Sequence, residues 1–291
     1  MSIYQDIKSS FRNGDVLMQI IGINIAIYIV ILISWLLTLL FKLPDPIDFI
    51  LVNYLMLPAD VGELIYKPWT IITYMFMHKT VFHILFNLLV LYWFGRLFIE
   101  YLGEKKFLPT YLMGGVFGGL FYVFCYNVFP YFDDKILLSR ALGASAAIMT
   151  IVFAAATLLP NFSIVLAIFG PVKLKYIAAI YLVLDLVSIG GSNAGGHLAH
   201  IGGALFGFLY IKSLQNGYDL SRMFANLIDW ISKVLKPKQK IKVAYRNQNY
   251  TQQSNKISQE EIDRILDKIS SGGYESLSAK EKEQLFKAGK E

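Results

Sequence analysis

Four reactive side chains in the apolar part of the sequence are of the types needed for serine-based catalysis. They are Ser145, His200, His83 and Asn87, and they lie far apart along the chain. A serine hydroxyl becomes an effective nucleophile when an imidazole takes its proton, so Ser145 and His200 form the candidate catalytic pair. The negative oxygen that develops during the attack needs preorganised hydrogen-bond donors, and His83 and Asn87 are the candidates for this oxyanion role. The chemistry indicated is acyl transfer from a substrate to a serine.

The segments that carry these side chains are apolar enough to lie in a membrane. Of the 291 residues, 55% are hydrophobic and 16% are charged, whereas soluble domains have roughly 25% charged residues. A hydrocarbon core of about 30 Å needs roughly 20 apolar residues per helix. The sequence therefore predicts an all-α, polytopic bundle of six transmembrane helices, at residues 17–41, 81–99, 107–128, 142–159, 174–189 and 197–214.

The basic residues predict the direction of these helices. Lys and Arg near span ends collect on the cytoplasmic side. Here they precede span one, link spans two and three, flank the start of span five and follow span six. We therefore expect a multi-pass protein of the cell (inner) membrane with both termini in the cytoplasm. Spans two, four and six then begin at the outer face, so their first turns, which hold the four candidates, share one depth.

Glycines next to the candidate residues predict close contact between helices. Helices in lipid associate where small residues let their backbones approach. Gly203 and Gly207 follow His200 by three and seven residues, on the same helical face. We expect them to meet span four near Gly143 and so to hold the serine against the histidine.

Three motifs that contain these residues resemble those of the rhomboid intramembrane serine proteases. Residues 78–87 read HxxxxHxxxN, residues 143–146 read GxSx, and residues 199–207 read AHxxGxxxG. The motifs occur in the order found in that family, and the resemblance covers about residues 65–212.

The resemblance implies a role for each of the four candidate residues. Ser145 attacks, His200 acts as general base and then as general acid, and His83 and Asn87 stabilise the oxyanion, with no third carboxylate. The implied substrates are transmembrane segments of other proteins, cut near the outer face. Met149 stands where some members have a tyrosine that stacks on the catalytic histidine, which leaves the substrate preference open.

Three further ionisable side chains have more than one interpretation. We expect His197 to face water at the start of span six, and His78 to be an interfacial or hydrogen-bonding residue in the link before span two. Asp185 is expected to be a structural partner near the interface, with a proton relay or a third triad member as alternatives. Cys125 is the only cysteine, and Cys/His metal spacing is absent. Neither a metal site nor a cofactor is expected.

The chain divides into four predicted regions. These are a cytoplasmic N-terminal segment, the six-helix membrane domain, a basic juxtamembrane segment with a linker, and a small helical hairpin, at residues 1–16, 17–214, 215–256 and 257–291. The net charge of +6 is attributed to contact with anionic membrane lipids and not with nucleic acid. In the hairpin, Ser258 and Ser278 each precede a glutamate by three residues, a pattern typical of helix starts.

The sequence thus favours an intramembrane serine endopeptidase. The alternative is a rhomboid-like, non-proteolytic membrane protein that binds or chaperones transmembrane helices. Such a protein has no chemical need for Ser145 and His200 together. A transporter would need inverted repeats and broken helices, which the sequence lacks.

Overall fold

The computed structural model describes residues 15–42, 46–166, 170–222, 224, 226 and 258–289, and the described chain is mainly helical. It forms two compact units, Met1–Lys236 and Pro237–Glu291. Among the described residues, the first unit has the α-helices α1 Val16–Phe41, α2 Pro46–Ile50, α3 Val61–Tyr66, α4 Thr70–Thr73, α5 Val81–Leu102, α6 Glu104–Val128, α7 Ser145–Leu158, α8 Leu174–Ser188 and α9 Ala194–Gln215, together with the short π- or 3-10 helices Leu51–Leu55, Tyr74–Phe76 and Pro130–Lys135. Two short antiparallel pairs of strands accompany them: β1 Leu57–Pro58 with β2 Arg140–Ala141, and β3 Ser163–Leu166 with β4 Gly170–Lys173.

Four helices of the described residues, namely α1, α5, α6 and α9, are long and apolar enough to cross a membrane. Helix α7 is also apolar but has 14 residues, and α8 has 15. At 1.5 Å per residue, such a helix is about 21 Å long, shorter than a hydrocarbon core of about 30 Å. Helices therefore lie at all six predicted positions, and four of them meet the requirements for a span. The count of six spans stays a prediction.

Capping side chains fix where two of the long helices begin. The Asp15 carboxylate accepts a hydrogen bond from the backbone N–H of Leu17 at the start of α1. The Thr80 hydroxyl accepts from the backbone N–H of His83 at the start of α5. Each contact satisfies a helix-terminal N–H that has no partner within the helix. The Thr80 cap places His83 in the first turn of α5.

Helix α7 packs against both α6 and α9 through small residues. A Cβ atom on Gly203 would overlap the carbonyl oxygen of Ala146, and one on Gly207 would overlap that of Thr150. The Thr150 hydroxyl also donates a 2.8 Å hydrogen bond to the carbonyl oxygen of Gly203. On the α6 side, Gly114 lies against the same threonine side chain. The three helices therefore approach to backbone contact around Thr150.

Gly143 is not part of this helix contact, which corrects the sequence prediction. Helix α7 begins only at Ser145, so Gly143 lies in the approach to the helix, with a φ of +118°. A Cβ atom there would lie 2.9 Å from ring atoms of His83. The glycine is needed for its left-handed backbone and for the close approach of that imidazole.

The second unit contains a helical hairpin, α10 Gln259–Gly272 and α11 Ala279–Ala288, which begin after Ser258 and Ser278. The Lys268 ammonium lies 3.0 Å from the Glu281 carboxylate and joins the two helices. The backbone N–H of Ser278, followed by the Lys268 side chain, lowers the pKa of Glu281 to about 2. Most of the predicted N-terminal segment, and most of the basic segment with its linker, lies outside the described residues.

Candidate active site

The segment that leads into Ser145 is held by contacts from the elements between α2 and α5. Strand β2 pairs with β1, with Leu57 opposite Ala141. The Arg140 guanidinium lies 2.6 Å from the Glu63 carboxylate, and the backbone N–H of Gly143 donates to the carbonyl oxygen of Tyr74 at 2.9 Å. These contacts fix the serine at the first position of α7.

Ser145 and His200 are in direct contact. The Ser145 Oγ lies 2.6 Å from His200 Nε2, across 55 residues of sequence. The serine begins α7, and the histidine lies in the second turn of α9, so both occupy the N-terminal ends of their helices. In this geometry the imidazole can accept the hydroxyl proton, as nucleophilic activation requires.

Asp185 lies behind this pair, on the far side of the imidazole. Its Oδ1 atom is 2.9 Å from His200 Nδ1 and 2.7 Å from His197 Nδ1, and the residue is 5% exposed. The short link between α8 and α9 brings the last turn of α8 against the first turns of α9. The expected catalytic pair had no third carboxylate, whereas the structure places one against His200 Nδ1. Whether this carboxylate takes part in the reaction stays a prediction. His197 is 24% exposed, so its ring is partly open to water as expected, and it is also bonded to the buried acid.

His83 and Asn87 line the other side of the serine. The His83 ring lies against Gly143, two residues before Ser145. The Asn87 amide Nδ2 lies 3.1 Å from His78 Nε2, so the amide donates to that ring nitrogen. His78 is 1% exposed, and its burial, followed by the proximity of His83, lowers the pKa of His78 to about 4. The His78 ring is therefore neutral at physiological pH and can orient the amide.

The backbone at Ser145 can also donate a hydrogen bond to an oxyanion. The first N–H groups of a helix have no intrahelical acceptor, and the helix dipole places partial positive charge there. Because Ser145 is the first residue of α7, its own N–H has no acceptor within the helix. It can join His83 and Asn87 as a donor to a developing oxyanion.

A polar cavity of about 310 Å³ opens onto the pair. Ser145 and His200 line it, as do Lys79, Arg140 and Asn193. Charged and amide side chains of this kind hold water, so the cavity can deliver the water that hydrolysis consumes.

An apolar cleft of about 210 Å³ reaches the same two side chains from between α5, α7 and α8. Val90, Met149, Tyr181 and Asp185 are among the residues that line it. A hydrophobic substrate side chain fits the chemistry of this lining.

Asp185, His197 and His200 are also a group of described residues whose ligand atoms lie within 4.8 Å of one another. Two imidazoles and a carboxylate are suitable ligands for a divalent transition metal. Hydrogen bonds already connect all three groups, so the arrangement is also accounted for without an ion.

Sequence reasoning left the contacts of His78 and Asp185 open, with a hydrogen-bonding role for His78 and a third triad member for Asp185 among the alternatives. A signal existed for each. His78 begins the HxxxxHxxxN motif whose last residue it contacts, and Asp185 is an ionisable group within an apolar segment, which marks a functional candidate in lipid. Neither signal by itself identifies the partner atom.

Comparison with known proteins identifies the class to which this site belongs. The rhomboid domain family matches residues 66–216, which is more than half of the chain. The chain therefore belongs to the rhomboid family. Residues 248–290 match a second family, DUF6576, whose function is unknown.

Individual relatives are similar over the same region. The chain is 33% identical over 139 residues to the presenilin-associated rhomboid-like protein A of Danio rerio, and 34% identical over 143 residues to the corresponding protein of Rattus norvegicus. These matches cover 47% of this chain and 35% of each relative. Rhomboid protein 1 of Saccharomyces cerevisiae is 26% identical over 199 residues, which are 66% of this chain and 51% of the relative. The chain thus matches about a third to a half of the length of these relatives.

The names of these relatives correct the expected location. All three are named mitochondrial, as is RHOMBOID-like protein 12 of Arabidopsis thaliana. They point to a mitochondrial membrane, which contradicts the cell membrane expected from the sequence. The physical reason for the error is that the distribution of Lys and Arg indicates the side of a membrane and not which membrane it is.

Proposed function

We propose that this protein is an intramembrane serine endopeptidase that cleaves transmembrane segments of other membrane proteins. The observation that carries the proposal is the 2.6 Å contact between Ser145 Oγ and His200 Nε2 at the helix ends of a rhomboid-family domain. A protein that only binds helices has no chemical use for this contact.

In the proposed reaction, His200 Nε2 takes the hydroxyl proton as Ser145 Oγ attacks the scissile carbonyl carbon. The carbonyl oxygen becomes negative and is stabilised by the Ser145 N–H together with His83 and Asn87. His200 then gives the proton to the leaving amine, which releases one fragment and leaves an acyl ester on Ser145. Water attacks this ester with His200 as base, and the second fragment leaves as a carboxylic acid.

The two cavities suggest how substrate and water reach the pair. The apolar cleft lined by Val90 and Met149 suits a hydrophobic side chain of the substrate, and the polar cavity supplies water. Peptide carbonyls within a helix are hydrogen-bonded and sterically covered, so the substrate must unwind locally before attack. We therefore propose substrates whose transmembrane helices are weak near the membrane face at which α5, α7 and α9 begin.

The test is cleavage of a fluorescent transmembrane peptide by the purified protein in liposomes, with Ser145→Ala and His200→Ala as variants. Each variant is expected to lose turnover, because the nucleophile or its base is absent. A serine-reactive fluorophosphonate should label only proteins that retain Ser145. Circular dichroism and thermal unfolding serve as controls that both variants fold.

Cleavage by Ser145→Ala at the rate of the unsubstituted protein would overturn the proposal. Binding of the peptide without cleavage by any form, and without probe labelling, would favour a helix-binding protein instead.

A further inference from the structure

Building on the proposed function, we propose that Asp185 is a positioning residue for the reaction. Its carboxylate accepts the Nδ1–H of His200 and so holds the imidazole with Nε2 free to accept the proton of Ser145. The proposal rests on two contacts of one imidazole: His200 Nδ1 lies 2.9 Å from Asp185 Oδ1, and His200 Nε2 lies 2.6 Å from Ser145 Oγ.

The position of the proton on the ring decides whether His200 can act as a base. A neutral imidazole carries one proton, on either Nδ1 or Nε2, and only the other nitrogen accepts. If the proton were on Nε2, that nitrogen could not take a proton from Ser145. A carboxylate at Nδ1 accepts hydrogen bonds only, so it selects the tautomer with the proton on Nδ1. It also stabilises the imidazolium that forms once the serine proton has moved.

Burial makes the Asp185 contact specific. The side chain of Asp185 is 7% exposed, and its Oδ2 atom is buried without a hydrogen-bond partner among the described residues. Both ring contacts therefore converge on Oδ1. A buried carboxylate is costly unless it is paired, so the acid and the two imidazoles are expected to stay together.

His197 is the second group that faces this carboxylate. One carboxylate oxygen has two lone-pair sites, so Oδ1 can accept from both rings at the same time. The His197 ring contacts Asp185 and is 24% exposed, which suits a role in anchoring the acid. Tyr181 lies near the same carboxylate, in the apolar cleft. No other side chain among the described residues donates a hydrogen bond to Asp185.

A purely structural role, in which Asp185 only ties α8 to α9, makes a different prediction. Such a tie would affect stability and substrate binding. A positioning role would affect the chemical step, and therefore kcat, with KM and stability little changed. The distinction can be measured with Asp185→Asn, which keeps the shape of the side chain and removes its charge.

For Asp185→Asn in the full-length protein we expect kcat to fall on the order of 10²-fold or more, as for the loss of an orienting carboxylate in a serine triad. Asp185→Glu should recover part of the rate. Asp219→Asn is the matched control, because this carboxylate lies in the same unit at 8% exposure and contacts Lys106 and Ser221 instead. It should leave kcat unchanged.

A second measurement does not depend on turnover. The sequence has four histidines, so selective ¹⁵N labelling gives four imidazoles that single substitutions can assign by NMR. We expect His200 to carry its proton on Nδ1, with a low-field resonance that is lost in Asp185→Asn. An unchanged kcat with an unchanged His200 tautomer in this variant would overturn the proposal, as would a loss confined to stability and KM.

The two proposals fail separately. If the unsubstituted protein cleaves no transmembrane substrate, the proposed protease function falls, and the NMR result alone still decides whether Asp185 orients His200. If it cleaves and Asp185→Asn cleaves equally well, only the Asp185 proposal falls.

Discussion

All four histidines of the chain lie around Ser145, and each ring has an identifiable neighbour. His78 contacts Asn87, and its ring centroid is 5.0 Å from that of His83. His197 and His200 share one oxygen of Asp185. The candidate site therefore holds all the imidazoles of the chain.

His78 leads to a prediction about stability and pH. In the unfolded chain its pKa is near the ordinary value of 6.5, and in the folded protein it is about 4. Between these values only the unfolded chain binds the proton, so the free energy of unfolding should fall as the pH drops from about 6.5 to about 4. His78→Gln keeps a side chain that can accept from Asn87 but lacks this titration.

The measurement is Tm in detergent micelles between pH 7.5 and pH 4 for both proteins. The unsubstituted protein should lose more Tm over this range than His78→Gln does. The carboxylates are the same in both proteins, so their contribution cancels in the difference between the two Tm values. Curves of Tm against pH that run parallel for the two proteins would contradict the prediction.

At the scale of helices, the site depends on close contact between α7 and α9. Gly203 and Gly207 allow this contact, and the Thr150 hydroxyl bridges the two helices at 2.8 Å. Ser145 and His200 lie about one turn from the bridge on their respective helices. The hydrogen-bonded pair is therefore a consequence of how these two helices pack.

Thr150→Val should weaken this packing. Valine has the shape of threonine but cannot donate to the carbonyl oxygen of Gly203, so we expect a loss of about 1 kcal/mol in unfolding free energy. Thr157→Val is the matched control on the same helix, because the Thr157 hydroxyl donates only to Phe153 within α7. The measurement is the free energy of unfolding of both variants and of the unsubstituted protein in mixed detergent micelles.

Labelling of Ser145 by a fluorophosphonate should also slow in Thr150→Val and not in Thr157→Val. Equal losses of stability in both variants would show that the bridge to α9 contributes nothing beyond an intrahelical contact.

At the scale of the whole molecule, the candidate site lies within the first unit. The rhomboid match at residues 66–216 contains every candidate catalytic and oxyanion residue. The second unit, matched by a family of unknown function, contains the α10–α11 hairpin. We expect this hairpin to serve contact or regulation and not the chemical step.

A chain that ends at Lys236 tests this division, because it removes the second unit and keeps the first intact. Cleavage of the fluorescent transmembrane peptide in liposomes and probe labelling of Ser145 should both be retained. A truncated protein that is folded by circular dichroism but no longer cleaves would show that the second unit takes part in catalysis.

The sequence by itself determined the features that depend on residue type and short-range spacing. The motifs around Ser145, His200, His83 and Asn87 indicated the family, and the helix starts at Ser258 and Ser278 followed from their capping patterns. The run of apolar segments gave the positions of the helices. Their direction predicted that the ends of α5, α7 and α9 meet.

Only the tertiary structure decided which side chains touch. The place of Gly143 beside His83 was not predicted. The contact of Asp185 with His200 had been only an alternative, and the partner of His78 had not been named. Each depends on how far a helix is rotated about its axis and where its first turn begins. A helix turns about 100° per residue, so a shift of one residue aims a side chain at a different neighbour. Hydropathy locates a helix to within several residues, whereas these contacts require its rotation.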